Sequence, residues 1–156
     1  MIMTIKQFFN KLFLFPADSN MLNKKGVIEL NARRYESSLT YLKEALKANP
    51  KNVNVLNNEG VALNELANMK EGKEADDLYK QSFEKLIKAE KIKGGAVTYN
   101  IACLYSLKGN VNESLAWLEK CLKNNSIPSR SHILADSDLD NIKNKDEFLT
   151  LISIYR

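Results

Sequence analysis

Asp136, Asp138, Asp140, Asn141 and Glu147 stand at the intervals of a calcium-binding loop, with oxygen donors at loop positions 1, 3, 5 and 12. Three residues argue against that chemistry. The sixth position, where a sharp turn requires glycine, is Asn141; Lys143 takes the eighth, where an apolar residue packs; and Pro128 leaves little room for an entering helix. Zinc is no better served, because Cys103 and Cys121 have no C-x-x-C spacing and His132 is the sole histidine. One histidine also leaves little for general acid–base work, and the chain has no nucleophile elbow, phosphate loop or dinucleotide fingerprint. The carboxylates Glu71, Glu74, Asp76 and Asp77 lie in a lysine-rich stretch that reads as solvated pairs on a helix. No enzyme, metal or other cofactor is expected.

The elements that carry these residues read as helices. The 156 residues are 44% hydrophobic and 27% charged, with only three prolines and six glycines, and strand-like alternation is hard to find. The formal charge of +4 comes from basic and acidic residues interleaved, as in EKLIKAEKIK, rather than from one basic stripe, so nucleic acid is not expected as a partner. Gly26, Ser38 and Ala45 recur as Ala102, Ser114 and Cys121, with the same steps between small side chains. Repetition at roughly 34 residues predicts stacked helical hairpins, with both cysteines as small core residues in a reducing, cytoplasmic compartment.

Three hairpins follow, over residues 19–52, 53–93 and 94–125. The first begins near Ser19 as N-cap and ends at Asn49-Pro50, with Gly26 allowing close approach opposite Leu39, Leu42 and Leu46. Gly26 to Gly60 spans 34 residues but Gly60 to Ala102 spans 42. One added turn in each antiparallel helix would keep both in phase, which predicts helices over 53–70 and 74–92 around Gly72. Gly94-Gly95 turns into the third hairpin, where Gly109-Asn110 is the inner turn and Asn110 with Glu113 forms a capping box. The closing segment, 126–156, holds a short helix near His132–Leu134, an acidic loop and a last helix from about Asp146 to Tyr155. Phe148, Leu151, Ile152 and Tyr155 are expected to cover the open end of the stack.

On LNKKG with Tyr35 and EALKANP, on LNNEG, and on YNIACLY with LAWLEKCL, the chain resembles the tetratricopeptide repeat family over residues 19–125. The tail ADSDLDNIKNKDEFLTLI resembles the closing segment of many bacterial members. Glu29 departs from the family pattern, standing where an aromatic or apolar residue is usual. The resemblance implies an all-α superhelical stack whose first helices line a groove for a peptide or helix of another protein, as in an adaptor, co-chaperone or assembly subunit. It places Asn23, Val27, Leu30, Asn54, Asn57, Val61, Asn64, Tyr99, Cys103 and Ser106 in that groove. These side chains lack the lysines and arginines that some members use to hold a terminal carboxylate. Their amides could pair with a partner's backbone, or could reflect only an Asn- and Lys-rich composition; for Asn100 a hydrogen-bonding role between hairpins is expected. Trp117 is either packed against the closing segment or an exposed aromatic anchor.

Residues 1–18 form a separate amphipathic element, with Ile5, Phe8, Phe9, Leu12 and Phe13 on one side and Pro16 ending it. Three roles are open to it: a helix covering the first hairpin, a contact for a second protein or second copy, or a membrane-surface anchor through residues 5–15.

Overall fold

A computed structural model describes residues 18–154, and every regular element among them is helical. Six helices pair in order: α1 (Ser19–Asn31) with α2 (Tyr35–Ala48), α3 (Val53–Ala67) with α4 (Gly72–Ile92), and α5 (Thr98–Leu107) with α6 (Val111–Lys123). Hairpins stack through α2 against α3 and α4 against α5. The first helices also touch in sequence, α1 to α3 to α5, whereas the second helices make no comparable contact with one another. The stack therefore curves with α1, α3 and α5 on its inner side.

The three helix crossings are built alike. Ser38 Oγ donates to the Gly26 carbonyl at 2.8 Å, Ser82 Oγ to that of Gly60 at 2.8 Å, and Ser114 Oγ to that of Ala102 at 2.7 Å. All six residues are buried. A Cβ added at Gly26 would lie 2.7 Å from Leu42, and one at Gly60 would lie 2.7 Å from Leu86. Both leucines are fully buried, so neither can swing aside cheaply. Gly60→Ala gains about 1 kcal/mol of helix propensity but overpacks the crossing by about 1–3 kcal/mol. The expected result is net destabilisation in urea unfolding; a variant more stable than the parent would show that Leu86 repacks.

The added length of the middle hairpin is shared unequally between its helices. The serine-to-carbonyl step is 12 residues in the outer hairpins and 22 in the middle one. The expected helices 53–70 and 74–92 become Val53–Ala67 and Gly72–Ile92, and most of the insertion lengthens the start of α4. The helix starts ten residues before Ser82, against three residues before Ser38 and Ser114. Those seven further residues are about two turns, which brings Ala75 and Leu78 onto the same face as Ser82 and lets them pack inward.

Two expected caps are also corrected. Asp18, not Ser19, caps α1, its Oδ1 accepting from Asn20 N at 2.9 Å, while Ser19 Oγ accepts from Asn52 Nδ2. Asn110 makes no capping hydrogen bond through its side chain. Its ψ of 78° matches the 71° of Arg34 at the equivalent turn, short of the extended values at the side-chain caps Asp18 and Asn52. In both turns the backbone N–H instead reaches back five residues, from Arg34 to Glu29 and from Asn110 to Tyr105. Glu29, the departure from the family pattern, holds Arg34 in a two-pronged pair at 2.6 and 2.9 Å across this turn.

Three apolar clusters run in series along the stack. One joins the first two hairpins around Leu42 and Leu63, the next joins the second and third around Leu56, Leu86 and Ile101, and the last lies between the third hairpin and the closing segment. That segment comprises α7 (Arg130–Ala135), a 3-10 turn at Ser137–Leu139 and α8 (Asp146–Ile154). Ile133, Leu139, Ile142, Phe148 and Ile152 bury themselves there against Ala102, Cys103 and Leu118, with Leu151 and half-buried Trp117 alongside. Tyr155 and the amphipathic element at residues 1–17 lie outside the described residues.

Candidate functional site

The closing segment does more than cover the end of the stack, because it also packs on the inner side of α5. Tyr99 Oη donates to Asp136 Oδ2 at 2.7 Å, Cys103 Sγ approaches the same oxygen at 3.8 Å, and Asn141 Nδ2 donates to the Ser106 carbonyl at 2.8 Å. The Tyr99 ring meets His132 edge-on, with centroids 5.9 Å apart. Tyr99, Cys103 and Ser106, expected to face a partner, are thus engaged by the chain's own tail. Burying Ile133 and Leu139 draws the intervening Asp136 across α5, where its carboxylate satisfies the Tyr99 hydroxyl.

Two adjoining hollows of about 370 and 500 Å³ remain on the inner side, and both include Val61, Glu65 and Asp138. The first extends to Asn64, Tyr99, Cys103 and Asp136, and the second to Leu30, Arg33 and Tyr35. Of the expected groove residues, Leu30, Val61, Asn64, Tyr99 and Cys103 line these hollows. Asn23 and Asn57 do other work. Asn58 Nδ2 donates to Asn23 Oδ1 at 2.9 Å and Asn100 Nδ2 to Asn57 Oδ1 at 2.5 Å, so successive first helices are joined by amide bridges. Asn54 is exposed, Val27 is half-buried and Ser106 is buried. Glu65, Asp136 and Asp138 were missed as lining residues, since nothing in the spacing ties the tail's acidic loop to a glutamate in the second hairpin.

Electrostatics set this hollow apart. Burial, reinforced by the charges of Asp136, Glu65 and Asp140, pushes the Asp138 carboxyl up from 3.8 to about 6. Asp138 therefore binds its proton more tightly folded than unfolded. Its contribution favours the fold below about pH 4 and is lost as pH rises through 6. Asp138→Asn is expected to stabilise the protein at pH 7.5 by about 1–2 kcal/mol after allowance for solvent screening, and to make little difference at pH 4. Thermal melts of both proteins across that range check this; equal melting temperatures at pH 7.5 would remove the carboxylate repulsion from the account.

The same surroundings make thiol chemistry unfavourable. Burial and then the Asp136 and Asp138 charges push the Cys103 thiol far up, and burial pushes Cys121 up to about 12, so neither supplies a thiolate. The residues at calcium-loop spacing are committed elsewhere. Asp136 accepts from Asp138 N and Tyr99, Asp140 pairs with Lys143 at 2.7 Å, Asn141 donates to Ser106, and Glu147 is exposed on α8.

The tetratricopeptide repeat family matches residues 19–52 and 97–127, which are the first and third hairpins. No curated protein gives a significant match. The unmatched middle hairpin contains the ten-residue longer serine-to-carbonyl step, yet it repeats the crossing of its neighbours in Gly60, Ser82 and Leu86. Repeats of this kind serve protein–protein interaction and are typically not catalytic. The outer hairpins are similar in sequence to tetratricopeptide repeats, and the middle one shares their geometry.

Proposed function

We propose that the protein is a cytoplasmic adaptor that holds an extended segment of a partner protein against the inner faces of α1 and α3, with the closing segment as the end wall. The observation that carries this reading is the pair of adjoining hollows sharing Val61, Glu65 and Asp138. They lie on the inner side of the stack, where side chains from successive hairpins line open space. Two buried, unpaired cysteines suit a reducing compartment. A membrane-peripheral role through residues 5–15 rests on residues outside those described; among the described residues no helix is long and apolar enough to cross a membrane.

The test begins with a partner recovered by capture on the intact chain. Val61→Arg fills the space common to both hollows and breaks no side-chain hydrogen bond, so it should weaken that partner's binding at least about tenfold without unfolding the protein. Lys88→Glu, on the exposed side of α4 next to the apolar hollow of Phe83, Ile87 and Ile92, should bind normally. The opposite pattern would move the working surface to α4.

A further inference from the structure

Within the hollow bounded by Asn64, Glu65, Tyr99, Asp136 and Asp138, Asn64 is only 4% exposed, and its Oδ1 has no hydrogen-bond partner. A buried acceptor without a protein partner is costly, so a donor that reaches it is favoured. Three carboxylates surround the same space. Three backbone N–H groups that line it are already spent, those of Gly95 and Val97 on Glu90 and that of Ala96 on the Lys93 carbonyl. The Tyr99 hydroxyl already donates its hydrogen bond to Asp136. What faces the hollow is therefore mostly acceptors and negative charge, together with an aromatic ring. His132 stands 3.9 Å from Asp136 at one side, and Arg33 lines only the neighbouring hollow.

We propose that this hollow receives an arginine side chain of the partner protein, its guanidinium donating to Asn64 Oδ1 and to the carboxylates of Glu65 and Asp138. This rests on the groove reading above and names the chemistry it selects. A guanidinium offers five donors and no acceptor, which is the complement of such a lining, and the Tyr99 ring adds a surface on which it can stack. The roughly 370 Å³ hollow is far larger than one bare ion requires. Cys103, Asp136 and Asp138 do cluster within 4.8 Å, as a metal set would. Both Asp136 oxygens already accept hydrogen bonds, however, from Tyr99 and from Asp138 N, so a metal would compete with those contacts whereas a guanidinium can leave them in place.

The test is a nuclear magnetic resonance titration of the isotope-labelled full chain with acetyl-Gly-Ser-Arg-Ser-Gly-amide. Its control carries citrulline, which keeps the shape and loses the charge. The arginine peptide should shift the amides of Val61, Glu65 and Tyr99 and bind at least about tenfold more tightly than the control. Asp138→Asn, expected to be at least as stable as the parent, and Glu65→Gln should each weaken it about fivefold or more, and Lys88→Glu should not. Equal binding of the two peptides, or indifference to both carboxylate changes, overturns the proposal. So does zinc or calcium binding that disappears in Asp138→Asn while the peptide leaves the hollow unshifted, which would make this a metal centre. If Val61→Arg abolishes partner binding but the arginine peptide fails, the groove reading stands and the arginine is refuted. If the partner's contact maps to Lys88, the groove reading itself falls.

Discussion

Phe148→Ala is expected to lower the free energy of unfolding by about 3–5 kcal/mol, the loss typical of a fully buried aromatic ring. Phe148 is completely buried and heads the largest fully buried side chains, packed with Ile133, Leu139, Ile142 and Ile152. It lies on α8, which reaches the stack through α6, while the rest of the closing segment rests on α5. A stack stabilised by neighbouring contacts loses its ends first, so the damage should be local. Detachment of the tail would uncover Cys103, which packs in this cluster and approaches Asp136, and leave Cys121 inside the third hairpin. Urea unfolding combined with thiol labelling reads both effects: lower stability, with Cys103 labelled well before Cys121. Parent-like stability with both thiols protected would show that the tail is held by other contacts.

Glu90→Ala should cost about 2–4 kcal/mol, because one buried carboxylate joins four segments of the stack. Glu90 closes α4 and is 8% exposed. It accepts from Gly95 N at 3.1 Å and Thr98 Oγ1 at 2.9 Å, and pairs with Lys120 of α6 at 3.1 Å. Burial opposes its ionisation, but the donors from Gly95, Lys120 and Thr98 outweigh that and hold the carboxyl below its ordinary 4.5. The stabilisation is therefore present above about pH 4.5 and lost as pH falls through the lowered folded value. Removing the carboxylate strands the fully buried Thr98 hydroxyl, whereas Lys120 is part-exposed and can rehydrate, which keeps the loss below that of a sealed ion pair. Melting temperatures of parent and variant should converge on acidification. A gap that persists unchanged down to pH 2 would mean that packing, not charge, explains Glu90.

The hairpins are legible in the chain because their crossings depend on residue size at fixed steps, and size is written in the amino-acid letters. Gly26 with Ser38 and Ala102 with Ser114 match on spacing alone, and each pair proves to be a hydroxyl on a carbonyl. The middle crossing hid Ser82 and Ala89, though they repeat the step from Ser38 to Ala45, because the insertion placed Ser82 beyond the expected interval. Spacing reveals that residues have been added but not to which helix. Either helix can absorb whole turns without turning its apolar face, and only packing against α3 shows that α4 took most of them.

The candidate site lies beyond that kind of reading. Local spacing and side-chain size settle helices, small-residue crossings and an apolar tail that must cover something, since each depends on neighbours along the chain or on a regular period. Which carboxylates share a hollow depends on where the tail comes to rest. Asp136 and Asp138 meet Glu65 only because Ile133, Leu139 and Phe148 anchor the tail against the third hairpin and carry the acidic loop across α5. For the same reason Asn23 and Asn57, whose amides suit the holding of a peptide, become bridges between hairpins: their partners Asn58 and Asn100 are 35 and 43 residues away, and the curvature of the stack alone brings them within reach.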